Sequence, residues 1–514
     1  MKAKICWLRQ SCLAESQTWN KKTPRNLIGY GPQVVKLDSL IKDIVQDKND
    51  ISDVNINKIC TSSKDAKKGS LFVAINGTVN DGHDFINEAV ENGASAVISN
   101  GKNVSKLSVP NIKVSNTRLA ASRVSAEFYN YPSKELKVVG ITGTNGKTTT
   151  ASLIYSILKS ANYKVAQIGT LGLIADGYDK NKTLTTPDPI TLHKILRNLS
   201  DDNFSHVVME VSSHALDQLR VADIDFDISV FTNLSNEHLD YHNDMETYFR
   251  AKSKLFRMMP ITSTSIINVD DEYGARIKNE SSAPVISIST KNKSDIFFKK
   301  INYSLEGING LIRAGNEEIA FNSKLIGEFN AENIISAASV GIALNIGLKK
   351  IENGINNVKV IDGRMEVFKT SGNKNIVVDY AHTPDSYIKV LSTIKKLIGK
   401  KKKVYVLFGC GGNRDNSKRN KMGKIAADFA EKLWITPDNP RFENIDEINL
   451  EITKGLNANK YEIFNDREFG LKKAISKMKS NDTLVVLGKG REDYQDIKGK
   501  KIEYSDIEII EKYL

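Results

Sequence analysis

The stretch KVVGITGTNGKTTT, from Lys137 to Thr150, restricts what this chain can fold into more than any other. A short apolar run passes through a glycine loop into residues whose apolar members, Ile154, Ile157, Leu158 and Ala161, recur at i, i+3, i+4 and i+7. That spacing predicts an amphipathic helix, and the run before it a buried strand. A helix that carries the chain back across a sheet makes the next strand parallel. The pattern recurs downstream. HVVMEV, ISVFTNL and STSIINV are apolar runs separated by helical stretches, and NIVVDYA, KVYVLFGCG, KLWIT and TLVVLGKG each run into a polar or glycine-rich turn. Ahead of the loop, SLFVAING reads as a strand, and DGHDFINEAVENGASAVIS as a helix followed by a strand. The expected class is α/β, with largely parallel sheets covered by helices.

A chain of 514 residues exceeds one comfortable hydrophobic core. Three domains are expected: a mixed α/β domain over 36–134, a central P-loop ATPase-like parallel sheet over 135–359, and a C-terminal Rossmann-like domain over 360–514. Pro132 marks the first joint. Residues 1–35 look foreign to the rest: they hold Trp7, Trp19, Cys6 and Cys12, and six Lys or Arg against the single acid Glu15. The expectation is a leader that is disordered or not native, with the protein proper starting near Val35 or Lys36.

Composition narrows the function classes. A net charge of +12 favours anionic partners. No stretch approaches the roughly 18 apolar residues of a membrane span. Four cysteines without a CxxC pair point to a reducing cytoplasm, and seven scattered histidines argue against a compact zinc module.

The glycine loop is the strongest chemical signal. Backbone N–H groups in such a turn, leading into a helix N-terminus, cradle phosphate. Gly143, Thr144, Asn145 and Gly146 form the cradle, Lys147 reaches the outer phosphates, and Thr148, followed by Thr149, offers a hydroxyl to Mg²⁺. The spacing departs from the standard P-loop, because Ile141 stands where its first glycine belongs.

With that departure, TGTNGKTTT resembles the ATP loop of the Mur ligase superfamily, which includes folylpolyglutamate synthases. SSKDAKKGSLFVAINGTVNDGHDFI, TTPDP, MEVSSHALDQLR, TNLSNEHLDYH, AKSKLF, GEFNAEN, DGRMEV, VVDYAHTPDS, FGCGGNRD, DNPR and GKGREDY extend the resemblance from about residue 36 to the C-terminus, in the branch that adds an amino acid to UDP-N-acetylmuramoyl-dipeptide. The resemblance implies ATP-dependent joining of a carboxylate to an amine through an acyl phosphate, with small-molecule partners only and a monomeric chain. Two anions must meet, which requires concentrated positive charge.

Carried over residue by residue, the resemblance makes Lys147, Glu210, His238 and Lys252 the catalytic group. Thr148 and Glu210 bind the first magnesium, and His238 the second. Read alone, Lys252 is a solvated lysine of the basic amphipathic helix YFRAKSKLFRM, and an ammonium has no lone pair for a cation. The family carbamylates this lysine into an anionic ligand; here Lys254 takes a usually apolar place nearby. Asn330, Arg364 and Asp379 are implied to close over ATP. Ser63 (followed by Lys64 where Arg is usual), Gly77 and His83 are implied at the UDP end. Thr185, Thr186, Ser212, Gln218 and Arg220 hold the muramoyl-dipeptide.

Three further loops, GGNRD, DNPR and GKGRE, follow strand ends, where ligands bind in open α/β sheets. Arg414 and Arg441 suit a carboxylate through planar forks, while Asn439 and Glu492 suit an ammonium; Pro440 and Gly488 shape the turns. The implied amino acid is meso-diaminopimelate, because DNPR typifies diaminopimelate adders and lysine adders lack that arginine. Arg491 replaces a usual His, either as a surface change or as a reshaping toward lanthionine. The rivals are a folylpolyglutamate synthase-like ligase, for which an N-terminal uridine domain and DNPR have no use, and a basic nucleic-acid-binding ATPase. For the latter the densest cationic run, GKKKKVYV, is short and precedes a strand.

Overall fold

The computed structural model describes residues 34–45, 53–77, 80–102, 104, 106–179, 184–360, 363, 365–370, 372–399 and 402–514. The leader expected over 1–35 therefore lies, but for its last two residues, outside the described residues, as does Arg364. The chain divides into two compact units. The first takes in the described residues up to Phe297, with Arg313–Glu317 and Ser339–Ile346; the second takes in Phe298–Ile312, Glu318–Ala338 and Gly347–Leu514.

The first unit contains two main sheets, besides the short pair Val35–Lys36 and Asn55–Ile56. Near its start, the strands Lys58–Cys60, Ser70–Val73, Ala94–Ser99 and Asn111–Lys113 pair in parallel in chain order. The helix Thr117–Phe128 buries Ala120, Ala121, Val124 and Phe128 in the same core as Leu71, Val73, Ala96 and Ile98. The larger sheet places Lys137–Thr142 between His206–Glu210 and Ile228–Phe231, all parallel. Val165–Gly169 extends it on one side, and Thr264–Asn268 then Val285–Ser289 on the other. The short strand Gly172–Ile174 closes one edge antiparallel.

The burial explains the apolar runs. His206–Glu210 and Ile228–Phe231 are buried at every position, so no polar alternation survives in them. Each Val or Ile so placed contributes roughly 1.5–3 kcal/mol relative to exposure. Gly140 is required here, because a Cβ would collide with the Phe226 ring.

In the second unit a six-stranded sheet runs in the order Glu366–Lys369, Asn375–Asp379, Thr483–Leu487, Val404–Phe408, Lys432–Ile435, Tyr461–Ile463. Only the first pairing is antiparallel. The C-terminal ends of Val404–Phe408, Lys432–Ile435 and Thr483–Leu487 release the three loops GGNRD, DNPR and GKGRE from adjacent strands. Residues far apart in sequence thereby reach one rim.

Candidate active site

The glycine loop leaves Lys137–Thr142 and enters the helix Lys147–Ser160. Gly143 has φ 150° and Gly146 φ 88°, and a Cβ on Gly143 would overlap the Thr232 hydroxyl. Thr144 N donates to the Asn233 carbonyl at 2.8 Å, Asn145 N to Asn233 Oδ1 at 3.0 Å, and Thr232 Oγ1 to the Asn145 carbonyl at 2.7 Å. The loop is thus held in place by its neighbours. Asp188 and Asp244 cap the helices that follow them, whereas no side chain caps the first turn after Gly146. An open helix start beside a glycine loop is an anion site. Lys147 Nζ folds over it, donating to the Gly143 and Thr144 carbonyls at 2.9 Å each.

Glu210 ends its strand with no solvent exposure. Thr148 Oγ1 donates to its Oε2 at 3.0 Å, Thr170 N to its Oε1 at 2.9 Å, and the Thr170 hydroxyl to Oε2 at 3.2 Å. Among the described residues no Lys or Arg pairs with it. A buried carboxylate held by hydroxyls beside a phosphate loop is an oxygen donor set suited to Mg²⁺. The network continues through Thr186, whose hydroxyl donates to the Glu210 carbonyl at 2.9 Å and accepts from Ser212 N at 3.0 Å. Arg220 donates to the Thr186 carbonyl at 2.9 Å and to Gln218 Oε1 at 2.7 Å, and Thr185 meets Thr170 at 3.3 Å. The phosphate loop and the TTPDP and DQLR segments therefore form one continuous set of polar contacts.

Lys252 corrects the reading of a solvated lysine: it is 1 % exposed. The helix Met245–Arg257 turns Tyr248, Phe249, Ala251, Lys252, Leu255 and Phe256 inward, and helical period alone does not say which lysine shares that face. Lys252 Nζ donates to the Gly143 carbonyl at 2.8 Å and lies 4.6 Å from the Tyr248 ring centroid. Burial, then the charge on Lys147, holds its pKa well below the usual lysine range. His238, at φ 58°, approaches the same Tyr248 ring at 6.2 Å and the His214 ring at 5.0 Å. His242 is instead a packing residue, stacked on Tyr248 and bonded to Ser213 Oγ at 2.9 Å.

The residues read as the UDP end form a separate cluster. Ser63 Oγ donates to Glu88 at 2.9 Å. His83 uses both ring nitrogens within the protein, Nδ1 to Asp81 at 2.6 Å and Nε2 accepting from Asn100 N at 3.1 Å. Gly77 N closes a turn onto the Asn80 carbonyl at 3.0 Å. Asn330 and Asp379 belong to the second unit. Asn330 Nδ2 is spent on the Ile326 carbonyl at 2.8 Å, while Asp379 accepts from Met365 N at 2.8 Å and Ala381 N at 2.7 Å. Asp379 thus ties Met365 to the end of its own strand.

At the rim of the second unit, Asn439 Nδ2 donates to Glu492 Oε2 at 2.9 Å. Arg441 adopts φ 50° and donates from a guanidinium nitrogen to the Gly412 carbonyl at 2.7 Å, with Asp496 at 3.7 Å. Its side chain and that of Arg414 flank Gly411, where a Cβ would lie 3.1 Å from Arg441 and 3.8 Å from Arg414. Pro440 is buried, its carbonyl against Gly412, and Gly488 has φ 106° with Asp438 where a Cβ would sit.

The sequence reading missed Lys489. It is fully buried, 3.1 Å from Glu492, 3.2 Å from Asn439 Oδ1 and 3.7 Å from Asp438. Burial raises the Asp438 pKa, with Lys489 the largest opposing influence. A lysine between two glycines at a strand end was the available signal. Thr170 carried none, being far in sequence from the acid it binds. Asn292–Asp295 also spells N-K-S-D, the form of a guanine reader, but the Asp295 carboxylate is taken by Ser287 N at 3.0 Å and Ser287 Oγ at 2.6 Å.

The chain is similar to known proteins along most of its length. Models described as the Mur ligase family catalytic domain, the Mur ligase middle domain and the Mur ligase glutamate ligase domain match residues 55–129, 141–341 and 363–490. The chain belongs to the Mur ligase family, with its three-domain α/β architecture. Among its relatives, the UDP-N-acetylmuramoyl-L-alanyl-D-glutamate–2,6-diaminopimelate ligase of Aquifex aeolicus is 41% identical over 460 residues, covering 89% of this chain and 94% of that one. The ligase of the same name from Oceanobacillus iheyensis is 36% identical over 468 residues, covering 90% and 94%. A solved structure of such a ligase superposes with a TM-score of 0.70 at 28% identity, over 93% of this chain and 98% of that one.

Proposed function

We propose that this chain uses ATP to join meso-diaminopimelate to the D-glutamate carboxylate of UDP-N-acetylmuramoyl-L-alanyl-D-glutamate. The observation that carries the reading is the Glu210 network, which ties the phosphate-loop Thr148 to Thr186 and, through it, to Arg220. One buried acid thereby links the nucleotide cradle to the segment assigned to the acceptor. Lys147 and the open helix start hold the phosphates, and Arg220 and Thr186 hold the acceptor carboxylate. Acyl phosphate forms when that carboxylate attacks the γ-phosphorus and expels ADP; the incoming amine then adds to the acyl carbon, loses a proton and expels phosphate.

Thr148 and Glu210 are the residues that would hold Mg²⁺, which when bound offsets charge on the phosphates. Lys252 supports a second role. A buried lysine with a depressed pKa reaches more readily the neutral amine, the form that attacks CO₂ to make an N–C bond, lose a proton and become a carbamate. His238 near the same ring would complete that ligand set. Domain boundaries at 36–134, 135–359 and 360–514 are part of the proposal, with UDP in the first, ATP centrally, and the amino acid in the last.

The amino-acid preference rests on the second-unit rim. Two arginines flanking Gly411 suit the far carboxylate, and Glu492 keeps Oε1 for an ammonium, with only a 3.5 Å approach from the Tyr380 hydroxyl. Relatives named as diaminopimelate ligases support the same choice. The test is phosphate release with ATP, the UDP-muramoyl-dipeptide and each of diaminopimelate, lanthionine and lysine. Preference for lysine contradicts the specificity, and release stimulated by nucleic acid alone contradicts the reaction.

A further inference from the structure

Arg491 departs from the usual family pattern, and its partner is unexpected. Its guanidinium forms a fork on Glu366, Nε to Oε2 at 2.8 Å and Nη2 to Oε1 at 2.5 Å. The Glu366 side chain is 3 % exposed, while Arg491 is 40 % exposed, so an outer cation closes over an inner acid. Glu366 begins the antiparallel edge strand directly after Met365. Arg491 directly precedes Glu492 in the amino-acid loop.

The two segments touch through their backbones as well. A Cβ on Gly490 would lie 3.2 Å from the Gly363 Cα, and one on Gly363 would lie 3.3 Å from Arg491 N. Tyr380 N donates to the Gly363 carbonyl at 2.8 Å, and Gly488 N to the Asp379 carbonyl at 3.2 Å. From below, Lys489 holds Glu492 at 3.1 Å. The loop from Gly488 to Glu492 is therefore anchored inside by Lys489 and outside by Arg491.

We propose that Arg491 and Glu366 are a positioning pair, which fixes the Glu492 carboxylate for the incoming amino acid and registers its loop against the start of the strand Glu366–Lys369. This rests on the amino-acid site proposed above. The fork matters because two parallel bonds define an orientation that a single point charge does not. Glu366 is nearly closed to water, so removing Arg491 strands a buried carboxylate, and the strand and loop must separate to rehydrate it.

The experiment compares wild type with Arg491→Ala, Arg491→Lys, Glu366→Gln and the double variant Arg491→Ala/Glu366→Gln. Steady-state ligation is read for each substrate, and amide hydrogen exchange is read over Gly488–Glu492. Arg491→Ala should raise the amino-acid KM about tenfold, with kcat and the ATP KM within about twofold. The double variant should be no worse than the single ones, since the pair acts as one unit. Arg491→Lys, which keeps the charge and loses the fork, should raise KM about threefold with little change in melting temperature.

Exchange over Gly488–Glu492 and at the facing start of the strand Glu366–Lys369 should quicken in Arg491→Ala and stay as in wild type elsewhere. That readout needs no turnover, so it judges the pair even if the wild type accepts another amino acid. An unchanged amino-acid KM, or unchanged exchange in that loop, overturns the pair. A fall in kcat alone, with KM unmoved, also overturns it by reducing the effect to lost folded protein. Wild type that ligates no diaminopimelate overturns the proposed specificity instead.

Discussion

Lys252 concentrates the chemistry in one side chain. Its ammonium is disfavoured where it sits, with 1 % exposure and Lys147 as a repelling neighbour, so the neutral amine is reached more readily there than on an exposed lysine. Lys252→Ala should therefore lower kcat at least about a hundredfold while leaving the fold intact, and a short carboxylic acid in the assay should restore part of it. A fully active alanine variant would remove Lys252 from the mechanism. Arg414 makes a different prediction. It is exposed and, among the described residues, makes no hydrogen bond or ion pair, so its guanidinium is available to a ligand. Arg414→Ala should raise the diaminopimelate KM by about ten- to a hundredfold without altering melting temperature. Equal kinetics in the variant would show that Arg441 alone holds the far carboxylate.

At the scale of elements, the helix Pro189–Asp201 carries a pH-sensitive weakness. His193 is fully buried within it, and among the described residues neither ring nitrogen has a hydrogen-bond partner. Burial lowers its pKa to about 4, against an ordinary value near 6.5. As pH falls, the unfolded chain takes up this proton before the folded one. The stabilisation is therefore complete above about pH 6.5 and is lost as pH falls towards 4, by up to about 3 kcal/mol. His193→Leu should flatten the melting temperature over that window; an unchanged acid slope would place the sensitivity elsewhere.

The elements themselves were legible for a physical reason. KVVGIT and the strand Lys137–Thr142 coincide because a strand buried on both faces has no polar alternation to hide it. The glycine loop was legible because left-handed backbone at Gly146 and the crowding at Gly143 leave few other residues possible. Sheet order was not, since Thr483–Leu487 inserts between two strands that come before it in sequence. The inward turn of Lys252 was also hidden, because an amphipathic pattern places a lysine outside by default. Lys489 and the Glu366–Arg491 fork depend on contacts between segments that no local pattern links.

On the scale of the whole chain, each unit contributes chemistry the other lacks. The first holds the phosphate cradle, Glu210 and the TTPDP segment; the second holds the arginine pair, Asn439 and Glu492. Among the described residues no helix is long and apolar enough to cross a membrane. Substituting Glu210→Gln should abolish ligation even though it leaves the second unit untouched, because the carboxylate that Thr148 and Thr170 hold becomes a neutral amide, a poorer ligand for Mg²⁺. The most direct test of the whole account is phosphate release by the intact chain as substrates are added one at a time. Release should require ATP, UDP-N-acetylmuramoyl-L-alanyl-D-glutamate and meso-diaminopimelate together, with one tripeptide formed per phosphate. Release that is undiminished when either the muramoyl-dipeptide or the amino acid is left out would contradict it.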